Sequence, residues 1–525
     1  MANPDCLRDI LADCLHRPWL VGIDPAAFAQ QVQSRQAAIR EAISTGITPA
    51  LRSHIAHPLA PWETRPPATL LIAEPDPLNF LASLCAAILS DCLEGWAIAL
   101  GNPAWGVQEW YQLHHHLSPL VILTPTAPDP VLPLDPVQAP TLLASAGEGR
   151  TKNEERKGRA AQPPDLLIPT GGSSGQLRFT HHTGDTLLAA VQGFRQFFQP
   201  ELASGPVNCC CVLPLYHVSG LMQALRSAVS GGQLALHSFK ALEAGDFPAI
   251  APERFFLSLV PTQLQRLLDL PGGADWLRQF HTILLGGAPA WDDLLIQARQ
   301  QGLRLAPTYG MTETASQIAT QRPAEFLAGE TGCGRVLPHA LVDIVDTAGT
   351  LLPVGDVGRI QIRAASLARG YWGASDFGGQ FATDDLGWMD GAGRLHIAGR
   401  SSDKIITGGE NVFPAEVEAA IRATGLVQDV AVVGVGDRHW GEVVTALYVP
   451  ANSQVSPIRL EAALQDKLSR FKQPKRWVAT DHIPRSAQGK LNRRQLAEWL
   501  QTAQPPVGDG GCPKDLPSPE TARNA

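Results

Sequence analysis

The chain has 525 residues, 44% hydrophobic and 18% charged, with a formal net charge of -8. That length exceeds the size at which one hydrophobic core usually stops growing, so two or more domains are expected, and the composition fits a soluble globular protein better than a disordered or fibrous one. The modest acidity, with no long Lys/Arg run, argues against nucleic acid or an anionic membrane as partner, so any polyanion bound here must be met by a local site.

The chain begins MANPDCLRDILADCL, which carries acidic residues where a secretory leader has a basic region and an apolar run, so a cytoplasmic location is expected. Residues 80–100 are the most apolar early stretch, but Asp91 and Glu94 interrupt them. They are too broken for a membrane span and read as a buried helix with its connection. Residues 145–164, SAGEGRTKNEERKGRAAQPP, hold almost no large apolar residue and are expected to form an exposed flexible loop. Residues 165–169 then read as a short buried strand that runs into a Gly/Ser-rich turn. Strands are expected at 208–213, 255–260 and 282–285, with helical residues such as 262–268 between them, and this alternation predicts α/β layering.

Nine cysteines are scattered along the chain, and Cys209, Cys210 and Cys211 fall within one of these apolar runs. Adjacent residues of a strand point to opposite faces and cannot jointly hold one metal, so reduced, buried thiols are expected. A change of character comes after Arg400. Pro414 can start a helix with Val417, Ala420 and Ile421 on one face. Strands at 430–435 and 443–449 and helices at 460–468 and 491–500 complete a small α+β domain over 401–503, separate from a large domain over 1–400. The Pro- and Gly-rich residues 504–525 read as a disordered tail.

Four segments carry chemistry. In Thr170-Gly171-Gly172-Ser173-Ser174-Gly175-Gln176-Leu177-Arg178, small residues let backbone amides approach phosphate oxygens, and Arg178 adds a cation. The Gly-Lys-Ser/Thr end of a Walker A loop is absent. The same residues satisfy the G-x-S-x-G of a hydrolase nucleophile elbow, with Ser173 as nucleophile, and an ordinary flexible turn would look no different. Thr308-Tyr309-Gly310-Met311-Thr312-Glu313-Thr314 offers a carboxylate flanked by hydroxyls, suited to magnesium against phosphates, although taken alone a helix start is the favoured reading. From Thr383-Asp384-Asp385 to Arg400 and on to Thr407-Gly408-Gly409, Asp385 can accept from a ribose diol and Arg400 can pair with phosphate, although both are also routine loop charges. Gly489-Lys490 delivers one lysine from a turn, a residue that is usually solvated.

Taken together, in this order and spacing, the four segments resemble the ANL superfamily of adenylate-forming enzymes from about residue 165 to 492. Family members generally show Thr-Ser-Gly-Thr-Thr-Gly-x-Pro-Lys where this chain has Thr170 to Arg178, so Arg replaces the usual Lys, and their Thr-Gly-Asp appears here as Thr383-Asp384-Asp385. The resemblance implies a large multi-layer α/β domain with a small mobile α+β domain, and ATP, Mg2+ and coenzyme A as reactants and cofactors. It implies that Thr170, Ser173, Ser174 and Gly175 cradle phosphates, that Gly287 and Ala288 lie beside the adenine, and that Tyr309 lies against the base. Thr312 would lie near the α-phosphate and Glu313 on magnesium, with Asp385 and Arg400 at the ribose and phosphate end. Lys490 would be the catalytic lysine of adenylation, Gly408 and Gly409 would leave room for the thiol arm, and Ser402 aligns with the pivot between domains.

Within the superfamily, Leu213-Pro214-Leu215-Tyr216-His217-Val218-Ser219-Gly220-Leu221 with Arg226 beyond it is similar to the acid-binding segment of the o-succinylbenzoate-CoA ligases of menaquinone and phylloquinone biosynthesis. Such a substrate keeps a second carboxylate that is not activated. The resemblance implies that His217 and Arg226 bind the acid, with Arg226 as the fixed cation; a helix-surface arginine and a gate or core histidine are the plainer alternatives. A ligase for another aryl or short-chain acid remains the alternative substrate reading.

Overall fold

A computed structural model describes residues 6–44, 69–93, 96–105, 109, 112–113, 117, 119–123, 164–171, 177–465, 467–484 and 491–502. The expected loop over 145–164, apart from Pro164, and the tail over 504–525 lie outside the described residues. The chain gathers into two compact units, one of Met1–Thr170, Leu177–His237 and Ser366–Phe377, the other of Gly171–Gln176, Ser238–Ala365 and Gly378–Ala525. Residue 400 is not an edge of either unit; it is where the chain passes from one sheet to another.

In the first unit, strands β1 (Thr69–Ile72), β2 (Ala97–Leu100), β3 (Pro119–Leu123), β4 (Asp165–Gly171) and β5 (Leu177–His182) lie in the order β3-β1-β2-β4-β5. β1 runs parallel to β2 and β3, and β2 parallel to β4. Every residue of β1 and β2 is buried, as expected of parallel strands covered on both faces. The helix expected within 80–100 is Pro77–Ile88, whose N-cap Asp76 accepts from the Asn79 amide at 2.8 Å. The rest of that stretch is a correction to the sequence reading: it is not merely a connection, because a 3-10 turn at Asp91–Leu93 leads into β2. Four apolar residues in a row have no period that separates strand from helix.

β6 (Asn208–Cys211) and β7 (Leu234–Leu236) pair in parallel, and all three cysteines of β6 are buried and unbridged. Helix α1 (Val218–Ser230) packs on both strands. Its last turn is held by the N-terminal segment, where the Arg17 guanidinium donates to the Ala228 carbonyl, and Leu234 exchanges backbone bonds with Trp19 and Val21 at 2.6 and 3.0 Å.

In the second unit, β8 (Phe255–Leu259), β9 (Thr282–Leu285) and β10 (Leu305–Met311) are parallel neighbours, continued antiparallel by β11 (Ser316–Thr320) and β12 (Arg335–Val336). Strands β13 (Ala340–Val345), β14 (Gly358–Ala364), β15 (Phe381–Met389) and β16 (Leu395–Arg400) form an antiparallel meander. Beyond Arg400, β17 (Ile405–Thr407), β18 (Glu410–Val412), β19 (Val427–Asp437), β20 (Gly441–Pro450) and β21 (Arg476–Ala479) make a further sheet in the order β18-β17-β20-β19, with β21 on β20. Val430 and Val432 face helices α2 (Pro414–Arg422) and α3 (Pro457–Leu464), while Ala431, Val433 and Val435 face α4 (Arg493–Thr502). The period-two alternation therefore buries both faces of β19, at roughly 1.5–3 kcal/mol for each fully buried large aliphatic side chain. The chain is of α/β and α+β class, as the alternation of elements predicts. Among the described residues no helix is long and apolar enough to cross a membrane.

Candidate functional site

The C-terminal ends of β9 and β10 lie side by side, the position at which open parallel sheets present ligand-binding loops. From β9 the chain leads into Gly287 and Ala288, both exposed. On β10 a bulge between Tyr309 and Gly310 shifts the register against β11, and a Cβ at Gly310 would stand 2.2 Å from the Ser316 carbonyl, so no side chain fits there. The helix start considered for this segment does not form: Thr312–Thr314 is a single 3-10 turn. The Thr314 hydroxyl accepts from the Met311 amide at 3.2 Å and donates to the Ser316 carbonyl at 2.7 Å, which closes that turn. Thr312 is left half-buried and Glu313 buried.

Tyr309, Asp385 and Arg400 come together. Asp385 on β15 stands opposite Arg400 on β16, and each of its carboxylate oxygens has a donor: Tyr309 Oη at 2.7 Å and Arg400 Nε at 3.1 Å. Thr383 fixes the local backbone, accepting from the Asp385 amide at 3.0 Å and donating to the Ile360 carbonyl at 2.9 Å. Asp385 is only 9% exposed. Burial, reinforced by the adjacent Asp385 charge, pushes the Tyr309 hydroxyl well above its ordinary pKa, so it stays a neutral donor. Burial opposes the Arg400 charge, yet Asp385, Asp403 and Asp384 outweigh it and raise the guanidinium above its usual value. A carboxylate has about four lone-pair sites, so this doubly held Asp385 keeps acceptor capacity for a diol. Arg400, its side chain 48% exposed, bonds Asp385 through Nε.

His217 precedes the first turn of α1, half-buried with its ring edge-on to Tyr216 at 4.5 Å. Arg226 is not on the helix surface. It is 3% exposed, its guanidinium lies 4.2 Å over the Phe194 ring, and burial pushes its pKa down to about 10 beside the Cys209 thiol. Nine residues of helix separate the two by roughly 13 Å of rise and half a turn about the axis. Gly220 to Ala228 are all buried, so α1 is enclosed on every side.

Thr170, the last residue but one of β4, is half-buried, whereas Ser173, Ser174, Gly175 and Lys490 lie outside the described residues. Arg178, exposed on β5, lies 5.2 Å from the Tyr371 ring centroid. Gly408 and Gly409 form the two-residue turn between β17 and β18 with φ of 58 and 87 degrees, a left-handed pair that favours glycine on its own account. Ser402 is exposed in the connection between sheets, and its amide and hydroxyl donate to the Asp384 carboxylate. That contact and the bond from Arg493 to the buried Glu418 carry no sequence signal beyond the residues themselves.

A family model for AMP-binding enzymes matches residues 97–372, and one for the AMP-binding enzyme C-terminal domain matches residues 416–490. The chain is 37% identical over 297 residues to a 2-succinylbenzoate–CoA ligase of Geobacillus kaustophilus, an alignment that spans 55% of this chain and 60% of the relative. It is 34% identical over 351 residues to an indoleacetate–CoA ligase of Aromatoleum aromaticum, spanning 65% and 68%. The o-succinylbenzoate CoA synthetase of Bacillus subtilis, solved with the acyl-adenylate intermediate OSB-AMP, superposes with a TM-score of 0.65 at 26% identity over 85% of this chain and 91% of that one. The same synthetase has been solved with ATP and magnesium ion, with a TM-score of 0.63 at 25% identity over 83% and 90%. Because the first model spans more than half of the chain and includes the parallel strands whose ends carry Gly287, Tyr309 and Glu313, the chain belongs to the AMP-binding enzyme family.

Proposed function

We propose that this chain is an AMP-forming acid-thiol ligase that converts o-succinylbenzoate, ATP and coenzyme A into o-succinylbenzoyl-CoA, AMP and pyrophosphate, in menaquinone or phylloquinone biosynthesis and in the cytoplasm. The observation that carries the ATP half is Asp385, nearly buried on the antiparallel meander and held between Tyr309 of β10 and Arg400 of β16. The acid half is supported by the kinship with 2-succinylbenzoate–CoA ligases.

A carboxylate is a poor electrophile. One of its oxygens first attacks the α-phosphorus of ATP, forming the acyl-phosphate bond as pyrophosphate leaves. The sulfur of the thiol, its proton lost, then attacks the acyl carbon and AMP departs with the bonding pair. In this reading Asp385 accepts from the ribose hydroxyls, Arg400 meets phosphate, and Tyr309 keeps Asp385 oriented while its ring flanks the base. Gly287 and Ala288 border the adenine, Thr170, Ser173, Ser174 and Gly175 receive the outer phosphates, and Thr312 the α-phosphate. Glu313 with neighbouring hydroxyls is one carboxylate rather than a cage. That donor set fits Mg2+, which keeps several waters and binds through phosphates. When bound, the ion screens the phosphate charge that would repel an incoming carboxylate.

Lys490 bridges substrate carboxylate and α-phosphate in the first step only. Residues 401–503 act as a small domain pivoting at Ser402 against residues 1–400, which brings Gly408 and Gly409 to the thiol in the second step. His217 and Arg226 are assigned to the acid, Arg226 pairing with the carboxylate that is not activated. Nucleic acid has no part in this reading.

The test is pyrophosphate release from ATP with a panel of acids. o-Succinylbenzoate should be preferred over benzoate, indoleacetate and short-chain acids, and release without any acid dependence would sink the proposal. The indoleacetate–CoA ligase kinship favours a second reading, an aryl acid with a single carboxylate, and a preference for indoleacetate in the same panel would establish it. A serine hydrolase using Ser173 would release no pyrophosphate at all.

A further inference from the structure

The chain crosses from the β13–β16 meander to the β17–β21 sheet through residues 401–404, and Asp384 on β15 holds this connection at three points. Its carbonyl accepts from the Ser401 amide at 2.8 Å, one carboxylate oxygen accepts from the Ser402 amide at 3.2 Å, and the other accepts from the Ser402 hydroxyl. Glycine is the residue that the family resemblance leads one to expect at this place, and glycine has no side chain with which to make the last two bonds. The far side of the connection is also tied. The Asp403 carboxylate stands 3.8 Å from Arg493 Nη1, and Arg493 Nη2 donates to the buried Glu418 at 2.6 Å. Asp384 itself is exposed and loses little solvation in bonding there.

The geometry points to Asp384 as a positioning residue, a latch that holds residues 401–403 in one conformation and so governs the exchange between the two half-reactions. This rests on the proposed two-step activity. Lys490, assigned to adenylation, and Gly408–Gly409, assigned to the thiol step, both lie beyond the connection, so the chain exchanges them by changing the backbone of these few residues. Opening the latch gives up a charge-assisted hydroxyl bond and a charge-assisted amide bond. Once they are lost, the connection samples its open conformations more often, and the slow side of the exchange accelerates.

Three variants test this: Asp384→Ala, Ser402→Ala and the double substitution, each first shown to melt at the wild-type temperature. Arg400 and Lys404 flank the connection, so trypsin reads its opening without any substrate. Each single variant should be cut there roughly threefold to tenfold faster than wild type, as befits charged bonds at an exposed place, and the double variant no faster than the faster single one. In single turnovers, the ratio of thioester formation from supplied acyl-adenylate to adenylation should change by a similar factor. Cutting at the wild-type rate, or fully multiplicative effects in the double variant, overturns the latch. An unmoved ratio despite faster cutting overturns its role in the cycle. Failure of the wild-type protein to release pyrophosphate with any acid would strike the two-step activity instead, and would leave the trypsin result to stand alone.

Discussion

Tyr309→Phe isolates the nucleotide half of the site with the loss of a single oxygen. The ring stays in its apolar cluster beside Ile318, Ile360 and Leu395, so packing is conserved, while Asp385 loses the donor at 2.7 Å and keeps Arg400 at 3.1 Å. A hydrogen bond to a charged group is worth about 1.5–3 kcal/mol. The surviving Arg400 bond places the expected loss near the lower end, about 1.5 kcal/mol, which is about a tenfold rise in the Michaelis constant for ATP at 1.4 kcal/mol per decade. Pyrophosphate release at saturating acid and varied ATP measures it, and the constant for the acid should hardly move. The pH behaviour supplies an independent check. Because the Tyr309 pKa is raised in the fold above its ordinary 10.0, its contribution to stability is complete below pH 10 and is lost as pH climbs through the folded value. Wild type should therefore show an alkaline fall in stability that the Phe variant lacks in part. An unchanged constant for ATP, or equal damage to both substrates' constants, would refute the assignment of Asp385 to the nucleotide.

Lys490→Ala should abolish adenylation while largely sparing thioester formation from supplied acyl-adenylate; equal loss of both steps would make the lysine structural. Gly409→Leu strains a residue at φ of 87 degrees whatever the thiol requires, so Gly409→Asn is the informative change, since Asn tolerates that conformation. Thioester output should fall on the order of tenfold in the Asn variant with pyrophosphate release retained, and a melting point kept in Asn but lost in Leu would separate strain from blockage. Glu313→Gln should raise the Mg2+ concentration for half-maximal pyrophosphate release about tenfold, the factor expected for about 1.4 kcal/mol of lost charge interaction, and an unaltered Mg2+ curve would remove Glu313 from the metal.

The parts of this molecule that could be read from sequence are those where the physics is local. β8, β9 and the two long strands β19 and β20 announce themselves as β-branched or apolar runs, and Pro414 marks a helix start because its missing amide costs nothing there. Residues 308–314 could not be settled in that way, since Thr-Glu-Thr satisfies the chemistry of a helix start as well as that of a tight turn. The decision is made by pairing with β11, whose bulge lets Gly310 lie against Ser316. The plainer alternative for Arg226, a helix-surface arginine, rests on the rule that a charged residue in a helix usually marks the solvated face, but α1 has no solvated face from Gly220 to Ala228. The Asp384–Ser402 bonds join residues 18 apart on a strand and a connection, and no spacing rule speaks of such a pair.

The burial of Arg226 sharpens the test of the acid. A guanidinium 3% exposed, laid over Phe194, has given up most of its hydration, and truncating it to Ala would leave both a cavity and any anion it faces without a partner. Arg226→Met keeps the volume of the stem and the contact with the ring, and a melting temperature within a few degrees of wild type is the control that the folded state survives. What the Met variant loses is the pairing with the second carboxylate. Removing one member of a buried charged pair costs roughly 2–5 kcal/mol, so the Michaelis constant for o-succinylbenzoate should rise at least about thirtyfold while that for ATP stays within a factor of two or so. The control is an analogue without the ring carboxylate: wild type should use it poorly, and the Met variant should show a much smaller preference between the two acids. The roughly 13 Å of helix rise and the half turn between His217 and Arg226 give this test its edge, because an acid that meets the histidine must reach both along and around α1 to meet the arginine. If Arg226→Met keeps the full wild-type preference, the arginine is a core residue stacked on Phe194 and the second carboxylate is bound elsewhere.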